Sequence, residues 1–269
     1  MSPDALLPSA FEAIPALAAG GRPAVFLDYD GTLTPIVARP ELAVLDPAVR
    51  GIVRRLSEYA EVAVVSGRDL EDVRRLVDLD GITVAGSHGF EVRRADGTRV
   101  VHAGGEDLLP ALASAGDALE QGVRAITGAR MERKRFALAV HYREVAEEHH
   151  AEVIGLAATV ARAYPELRVG RGKMVVELRP DAEWHKGRLV AALASEHRGS
   201  GGGAVAYLGD DVTDEDAFVA IEDLEPPGYA IIVGERASQA TAARYALPDV
   251  EGTAAWLTAL VDALQVDRD

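Results

Sequence analysis

The chain has 269 residues, 48% of them hydrophobic, which supplies a substantial core and places it between one domain and two. It contains no cysteine, so disulfides, thiolate metal sites and a cysteine nucleophile are excluded. Its formal net charge of -15 argues against a nucleic-acid or anionic-membrane partner, since both call for a basic face.

The apolar stretch 11–19 is interrupted by Glu12 and Pro15 and has no basic segment before it, so it reads as a short leading helix and not as a signal peptide. No run approaches the roughly 18 apolar residues that a membrane span needs, and a cytoplasmic setting is expected. Residues 24–27 read as a fully buried strand that ends on Asp28-Tyr29-Asp30-Gly31-Thr32. Helical patterns over 46–59 and 69–77 flank a second such strand, 62–65, which ends on Ser66-Gly67-Arg68. The middle of the chain has another texture, with a helix over 106–126, alternating or apolar runs at 129–134 and 136–142, a helix over 144–164, and further runs at 167–170 and 174–178. That order predicts a small α+β unit of two hairpins and two helices inserted into the α/β core, where it can act as a lid. A helix over 184–197 follows, then a Gly/Ser-rich connection, 199–203, expected to be flexible. Strand 204–208 ends on Gly209-Asp210-Asp211, helix 214–222 follows, and strand 230–233 precedes Gly234. Strands alternating with helices predict a parallel sheet carrying its ligand groups at the carboxyl edge. The expected division is a core from 1–105 and 181–269 with an insertion at 106–180.

The candidate chemistry sits at those strand ends. Asp28 is a carboxylate fixed at a sheet edge, and carboxylates act as nucleophiles toward phosphorus, dividing one slow displacement into two easier ones. Asp30 lies on the same side of an extended chain, near enough to handle a proton for the leaving oxygen. An isolated D-x-D-G-T is equally what an Asx turn or a helix cap requires. Ser66 offers a hydroxyl and neighbouring N–H groups to a phosphoryl oxygen, or is an ordinary helix N-cap. Lys186 falls in the first turn of its helix, where a cation opposes the helix dipole; either its charge is wanted there or it is a plain surface lysine. The acids from Asp210 to Asp216 would repel one another unless a cation or a lysine is present. Arg130, Arg133, Lys134, Arg135 and Arg143 are opposed within their stretch only by Glu132, and such a run is either a solvated face or a surface for an anion.

Taken in order, D-Y-D-G-T-L-T-P-I (28–36), V-S-G-R (65–68), S-H-G-F-E (87–91), H-Y-R (141–143), G-K-M-V-V-E-L-R-P (172–180), H-K-G (185–187) and G-D-D-V-T-D-E-D-A-F (209–218) resemble the haloacid-dehalogenase-like (HAD) phosphatases. Within that superfamily they are most similar to the trehalose-6-phosphate phosphatases, from residue 24 to about 256. The resemblance implies a Rossmann-like parallel-sheet HAD core with an inserted α+β cap domain, and a phosphatase acting on trehalose 6-phosphate. It implies Asp28 as nucleophile, Asp30 as acid and then base, and Mg2+ on Asp28, the Asp30 carbonyl and Asp210. Ser66 and Lys186 would hold the phosphoryl oxygens, with Gly67 and Arg68 beside them and Asp211 and Asp214 in support. Glu132, Lys134, Arg143, Lys173 and Glu177 of the cap match positions that bind the sugar. The implied partner is a small sugar phosphate, with a trehalose-6-phosphate synthase as the functional link. The alternatives are a phosphatase for another sugar phosphate, such as sucrose 6-phosphate or mannosyl-3-phosphoglycerate, or a non-catalytic sensor. A sensor is expected to lose one of Asp28, Asp30, Lys186 and Asp210, and all four are present.

Overall fold

The computed structural model describes residues 7–266 except 38, 103–104, 173, 182–183 and 235–239. It divides into two compact units, one made of Met1–Val100 with Trp184–Asp269, the other of Val101–Glu183.

The first unit opens with a 3-10 turn, Ala10–Ala13, capped by Ser9, and runs into α1 (Ile14–Ala18). Next come β1 (Ala24–Leu27), α2 (Pro47–Tyr59), β2 (Glu61–Val65), α3 (Leu70–Val77), β3 (Thr83–Gly86), β4 (Glu91–Arg93) and β5 (Arg99–Val101). Asp46 explains the start of α2, since its Oδ1 accepts the Ala48 N–H at 2.7 Å and Pro47 fills the first helical position. The inserted unit holds α4 (Gly105–Val123), β6 (Arg130–Lys134), β7 (Ala137–His141), α5 (His150–Ala163), β8 (Leu167–Gly172) and β9 (Val175–Pro180). The chain then completes the first unit with α6 (Lys186–Gly199), β10 (Val205–Gly209), α7 (Glu215–Glu222), β11 (Tyr229–Val233), β12 (Tyr245–Leu247) and α8 (Val250–Val266).

Eight strands form the sheet of the first unit in the order β12-β11-β10-β1-β2-β3-β4-β5. Pairing is parallel from β12 to β3, and β4 joins antiparallel. Successive residues of each parallel strand point to opposite faces, and both faces are covered. Val25, Leu27, Val62, Val64, Ala206 and Leu208 pack in one buried cluster that also contains Leu17, Leu56, Trp256 and Leu260. Phe26, Ala63, Val65, Val205 and Tyr207 pack in another with Leu189, Leu193 and Phe218. Burial on both faces is why these strands read as unbroken apolar runs, each large side chain contributing about 1.5–3 kcal/mol. The strand order also reverses at β1: the chain moves outward through β2 and β3 on one side and through β11 and β12 on the other. That reversal is a topological switch point at the carboxyl ends of β1 and β10, the place where such sheets bind ligands.

In the inserted unit an antiparallel sheet runs β6-β7-β9-β8. Leu138, Val140, Val176 and Leu178 are buried, as are Leu112 and Leu119 of α4 and Val153 and Val160 of α5. Glu132, Ala139, Glu177 and Gly170 stand opposite one another across the four strands, on the alternate face. The 199–203 connection, expected to be flexible, is tied down: Ser200 N donates to Glu196 O at 3.1 Å, Gly201 N to Arg198 O at 3.0 Å, Gly202 N to His197 O at 2.9 Å and Gly203 N to Arg22 O at 2.8 Å. Among the described residues no helix is long and apolar enough to cross a membrane.

Candidate active site

Asp28 leaves the end of β1 with its N–H donating to Leu208 O at 2.9 Å, which sets it beside the end of β10. Lys186, the first residue of α6, donates from Nζ to Asp28 Oδ1 at 2.6 Å and to Asp214 Oδ1 at 2.7 Å. All three side chains are buried, with Lys186 3% exposed, so the surface-lysine alternative does not hold. Asp214 is saturated: its Oδ1 also accepts the Tyr207 hydroxyl at 2.6 Å, and its Oδ2 accepts the N–H groups of Asp210 at 3.1 Å and Asp211 at 3.0 Å. Asp211 in turn caps the short 3-10 turn Val212–Asp214, with Asp214 returning the contact. Tyr207 was not singled out by the sequence. Its signal was a hydroxyl in an all-apolar strand, which must find a partner once buried.

The electrostatics follow from burying more negative than positive charge. Burial pushes the Asp28 carboxyl well above its usual range, and Lys186 offsets this only in part because Asp214 and Asp210 act the other way. Burial also raises Asp210, with Asp214 adding to it, to about 7. For Asp214 burial is outweighed by the charge and hydrogen bond of Lys186, which hold it below the ordinary value. Burial alone would weaken the protonation of Lys186, but Asp214 and Asp28 overcome it and raise its pKa.

Asp30, two residues on, faces a different partner. Arg68 grips its carboxylate with two parallel hydrogen bonds, Nε to Oδ2 at 2.7 Å and Nη2 to Oδ1 at 2.6 Å, and reaches Asp72 Oδ2 through Nη1 at 3.0 Å. Such a fork fixes the direction of the carboxylate. The loop after Asp30 needs its glycine: Gly31 has a φ of +86°, and a Cβ there would overlap the Asp210 carboxylate. Ser66 is 1% exposed and its Oγ accepts the Arg68 N–H at 3.1 Å. It is not the cap of α3, because Asp69 holds that position. Gly67 packs against the His88 ring, which would stand 2.7 Å from a Cβ built on it.

On the polar face of the inserted sheet, Glu132 Oε2 lies 2.8 Å from His141 Nε2, and Lys134 Nζ lies 3.4 Å from Glu177 Oε1. The hydrogen bond to His141 holds the Glu132 carboxyl below its ordinary range against the effect of burial. His141 was not assigned to the site by the sequence, although its alternation with Ala139 along β7 puts it on this face. Arg143 sits exposed in the turn after β7, and among the described residues no hydrogen bond or ion pair joins it to these side chains; Lys173 lies outside the described residues. The cation run divides. Arg133, on the opposite face, pairs with Asp117 and Glu120 of α4 at 2.8 Å each, and Arg135 approaches Glu106 at 3.5 Å.

A family model described as trehalose-phosphatase matches residues 26–251, which spans both units and every strand end described above. The chain belongs to the trehalose-phosphatase family. A trehalose-phosphate phosphatase of Mycolicibacterium paratuberculosis is 41% identical over 266 residues, covering 96% of this chain and 68% of the relative. One of Mycobacterium tuberculosis is 41% identical over 248 residues, covering 90% of this chain and 62% of the relative. A solved structure of a trehalose-6-phosphate phosphatase related protein superposes with a TM-score of 0.79 at 27% identity, covering 91% of this chain and all of the other. A haloacid dehalogenase-like hydrolase from Bacteroides thetaiotaomicron, at 15% identity and a TM-score of 0.60, shares the fold over 88% of this chain and 98% of its own. The architecture is therefore the HAD core with an inserted α+β cap.

Phosphatases on this fold imply a divalent cation, and the donor set fits one. Carboxylate oxygens of Asp28, Asp210 and Asp214 lie within 4.8 Å of one another, all hard donors of the kind Mg2+ takes. Asp210 Oδ1 is buried with no hydrogen-bond partner, the position expected of a ligand oxygen. Asp214 has both oxygens committed to Lys186, Tyr207 and backbone N–H groups, so the residues best suited to hold the ion are Asp28 and Asp210.

Proposed function

We propose that the protein hydrolyses trehalose 6-phosphate to trehalose and phosphate through a phospho-Asp28 intermediate. The observation that carries the reading is the buried Asp28–Lys186–Asp214 chain beside Asp210, at the switch point of a trehalose-phosphatase family fold. An Asp28 carboxylate oxygen attacks phosphorus, the bond from phosphorus to the sugar oxygen breaks, and Asp30 gives that oxygen a proton. Asp30 then takes a proton from water, whose oxygen attacks the same phosphorus, releasing phosphate and restoring Asp28. Lys186 and Ser66 hold phosphoryl oxygens where charge gathers, and Asp214 keeps Lys186 aimed. Mg2+ held by Asp28, Asp210 and the Asp30 backbone carbonyl would supply further neutralisation of the phosphoryl group.

Phosphate release from trehalose 6-phosphate, sucrose 6-phosphate, glucose 6-phosphate and mannosyl-3-phosphoglycerate, with Mg2+ or with EDTA, tests the reading directly. Release confined to trehalose 6-phosphate and abolished by EDTA is expected. Release from another sugar instead would keep the chemistry and discard the substrate, and none from any would return the chain to the sensor class.

The cap's polar face selects the sugar in this reading, because mixed acids and a cation suit hydroxyls that both donate and accept. Glu132→Ala and Glu177→Ala are each expected to lower kcat/KM on trehalose 6-phosphate by about 10- to 100-fold, the loss of one or two charge-assisted hydrogen bonds, while sparing p-nitrophenyl phosphate. Equal losses on both esters would make the two glutamates structural.

A further inference from the structure

The S-H-G-F-E segment has no part in the reading above, yet its turn is bonded to the Ser66 loop and packs against the helix that begins at Lys186. Ser87 and His88 follow β3 with φ of 51° and 55°, two consecutive non-glycine residues in the left-handed region, and Gly89 follows with a φ of 94°. Asn or Gly would adopt that backbone more readily, and strained residues of this kind gather at sites where the side chain is needed. Two backbone hydrogen bonds lock the turn to the Ser66 loop, from Ser87 N to Arg68 O at 2.6 Å and from His88 N to Ser66 O at 2.9 Å. The His88 ring fills the space where Gly67 lacks a side chain, with Cε1 and Nε2 at 2.7 and 2.8 Å from where a Cβ would stand. On its other side the turn meets the start of α6. Trp184 Nε1 donates to Gly89 O at 2.8 Å, and Leu189, one turn beyond Lys186, packs so closely on Gly89 that a Cβ there would lie 2.9 Å from it.

We propose that His88 is a positioning residue: its imidazole seats Gly67, and the turn 87–89 fixes the Ser66 loop against the helix that presents Lys186. This inference rests on the reading that Ser66 and Lys186 hold the phosphoryl group. It places the demand for a histidine on the ring and not on the backbone, and the two demands separate by substitution. His88→Gly relieves the left-handed backbone and removes the ring; His88→Asn keeps a residue tolerant of that backbone and also removes the ring.

Both variants are expected to unfold thermally at or above the wild-type midpoint, while inhibition by inorganic phosphate weakens at least about 10-fold. Their kcat/KM on trehalose 6-phosphate and on p-nitrophenyl phosphate should fall by the same factor, because the defect lies at the phosphate and not at the sugar. Wild-type phosphate inhibition in either variant overturns the proposal. So does a loss of activity that tracks a lowered midpoint in both, which would make the ring a packing element, or a loss confined to trehalose 6-phosphate, which would place His88 at the sugar. If the wild-type protein hydrolyses none of these esters, the reading of the site itself fails and takes this assignment with it.

Discussion

Asp28→Asn is expected to lower turnover about 10⁵- to 10⁶-fold, the scale seen when an enzyme's nucleophile is deleted, without lowering stability. The first half follows from the covalent step: an amide oxygen is a poor nucleophile toward phosphorus. The second follows from burial. Desolvation raises the Asp28 carboxyl well above its unfolded value, with Lys186 compensating only in part. A carboxylate whose folded pKa is raised costs stability at every pH above its unfolded value, the cost growing until the folded pKa is reached, so a neutral isostere removes a cost at neutral pH. Lys186 keeps Asp214 as its partner, at 2.7 Å, and is not left stranded. The expected result is a dead enzyme with a thermal midpoint, measured at pH 7.5 in EDTA, equal to or above that of the wild type, the pattern of a site that trades stability for function. Phosphoryl label from ³²P-labelled trehalose 6-phosphate should remain on quenched wild-type protein and be missing from the variant. Turnover or label in the variant would move the nucleophile elsewhere, and a midpoint several degrees lower would make Asp28 chiefly a structural partner of Lys186.

Four of the sheet's inner strands, β1, β2, β10 and β11, were legible because parallel strands buried on both faces leave apolar runs that end abruptly in polar turns, as at Leu27-Asp28 and Gly209-Asp210, whereas β3, opened by Thr83 and closed by Gly86, leaves too short an apolar run to read. The edge was not. β4 and β5 carry Glu91, Arg93 and Arg99 within three-residue strands, and β12 is equally short, so no period develops to be read. Strand order is likewise absent from periodicity, yet it is what brings Asp210 next to Asp28. The acids could be seen to need a cation, but not that Lys186 would supply it from 28 residues before Asp214 while Tyr207 and two backbone N–H groups take up the rest. The Arg68–Asp30 fork joins two turns 38 residues apart, and nothing local announces it. In the cap the two-residue period does separate Arg133 from Glu132 and Lys134. What it cannot give is the partner, Asp117 and Glu120 on a helix that the sheet meets only after folding.

Lys186→Met keeps the length of the side chain and removes the cation that donates to both Asp28 and Asp214. Activity should be lost, but the more searching expectation concerns stability. Breaking a buried ion pair from one side leaves uncompensated charge and costs about 3–5 kcal/mol, here with two carboxylates stranded at once. The sign of the pH dependence should also reverse. In the wild type, Lys186 holds Asp214 below its ordinary pKa, so this group contributes stability that is present above its unfolded value of about 3.9 and lost as pH falls through the folded one. Without the cation, burial is the dominant influence on both Asp214 and Asp28 and raises them. The variant's deficit should then be largest near pH 7.5 and shrink toward pH 5.5, where protonation removes the stranded charge. Urea unfolding at the two pH values measures it, and adding Asp214→Asn to Lys186→Met should restore part of the stability and none of the activity. A deficit under about 1 kcal/mol, or one unchanged between the two pH values, would mean that these carboxylates are neutralised by something other than Lys186.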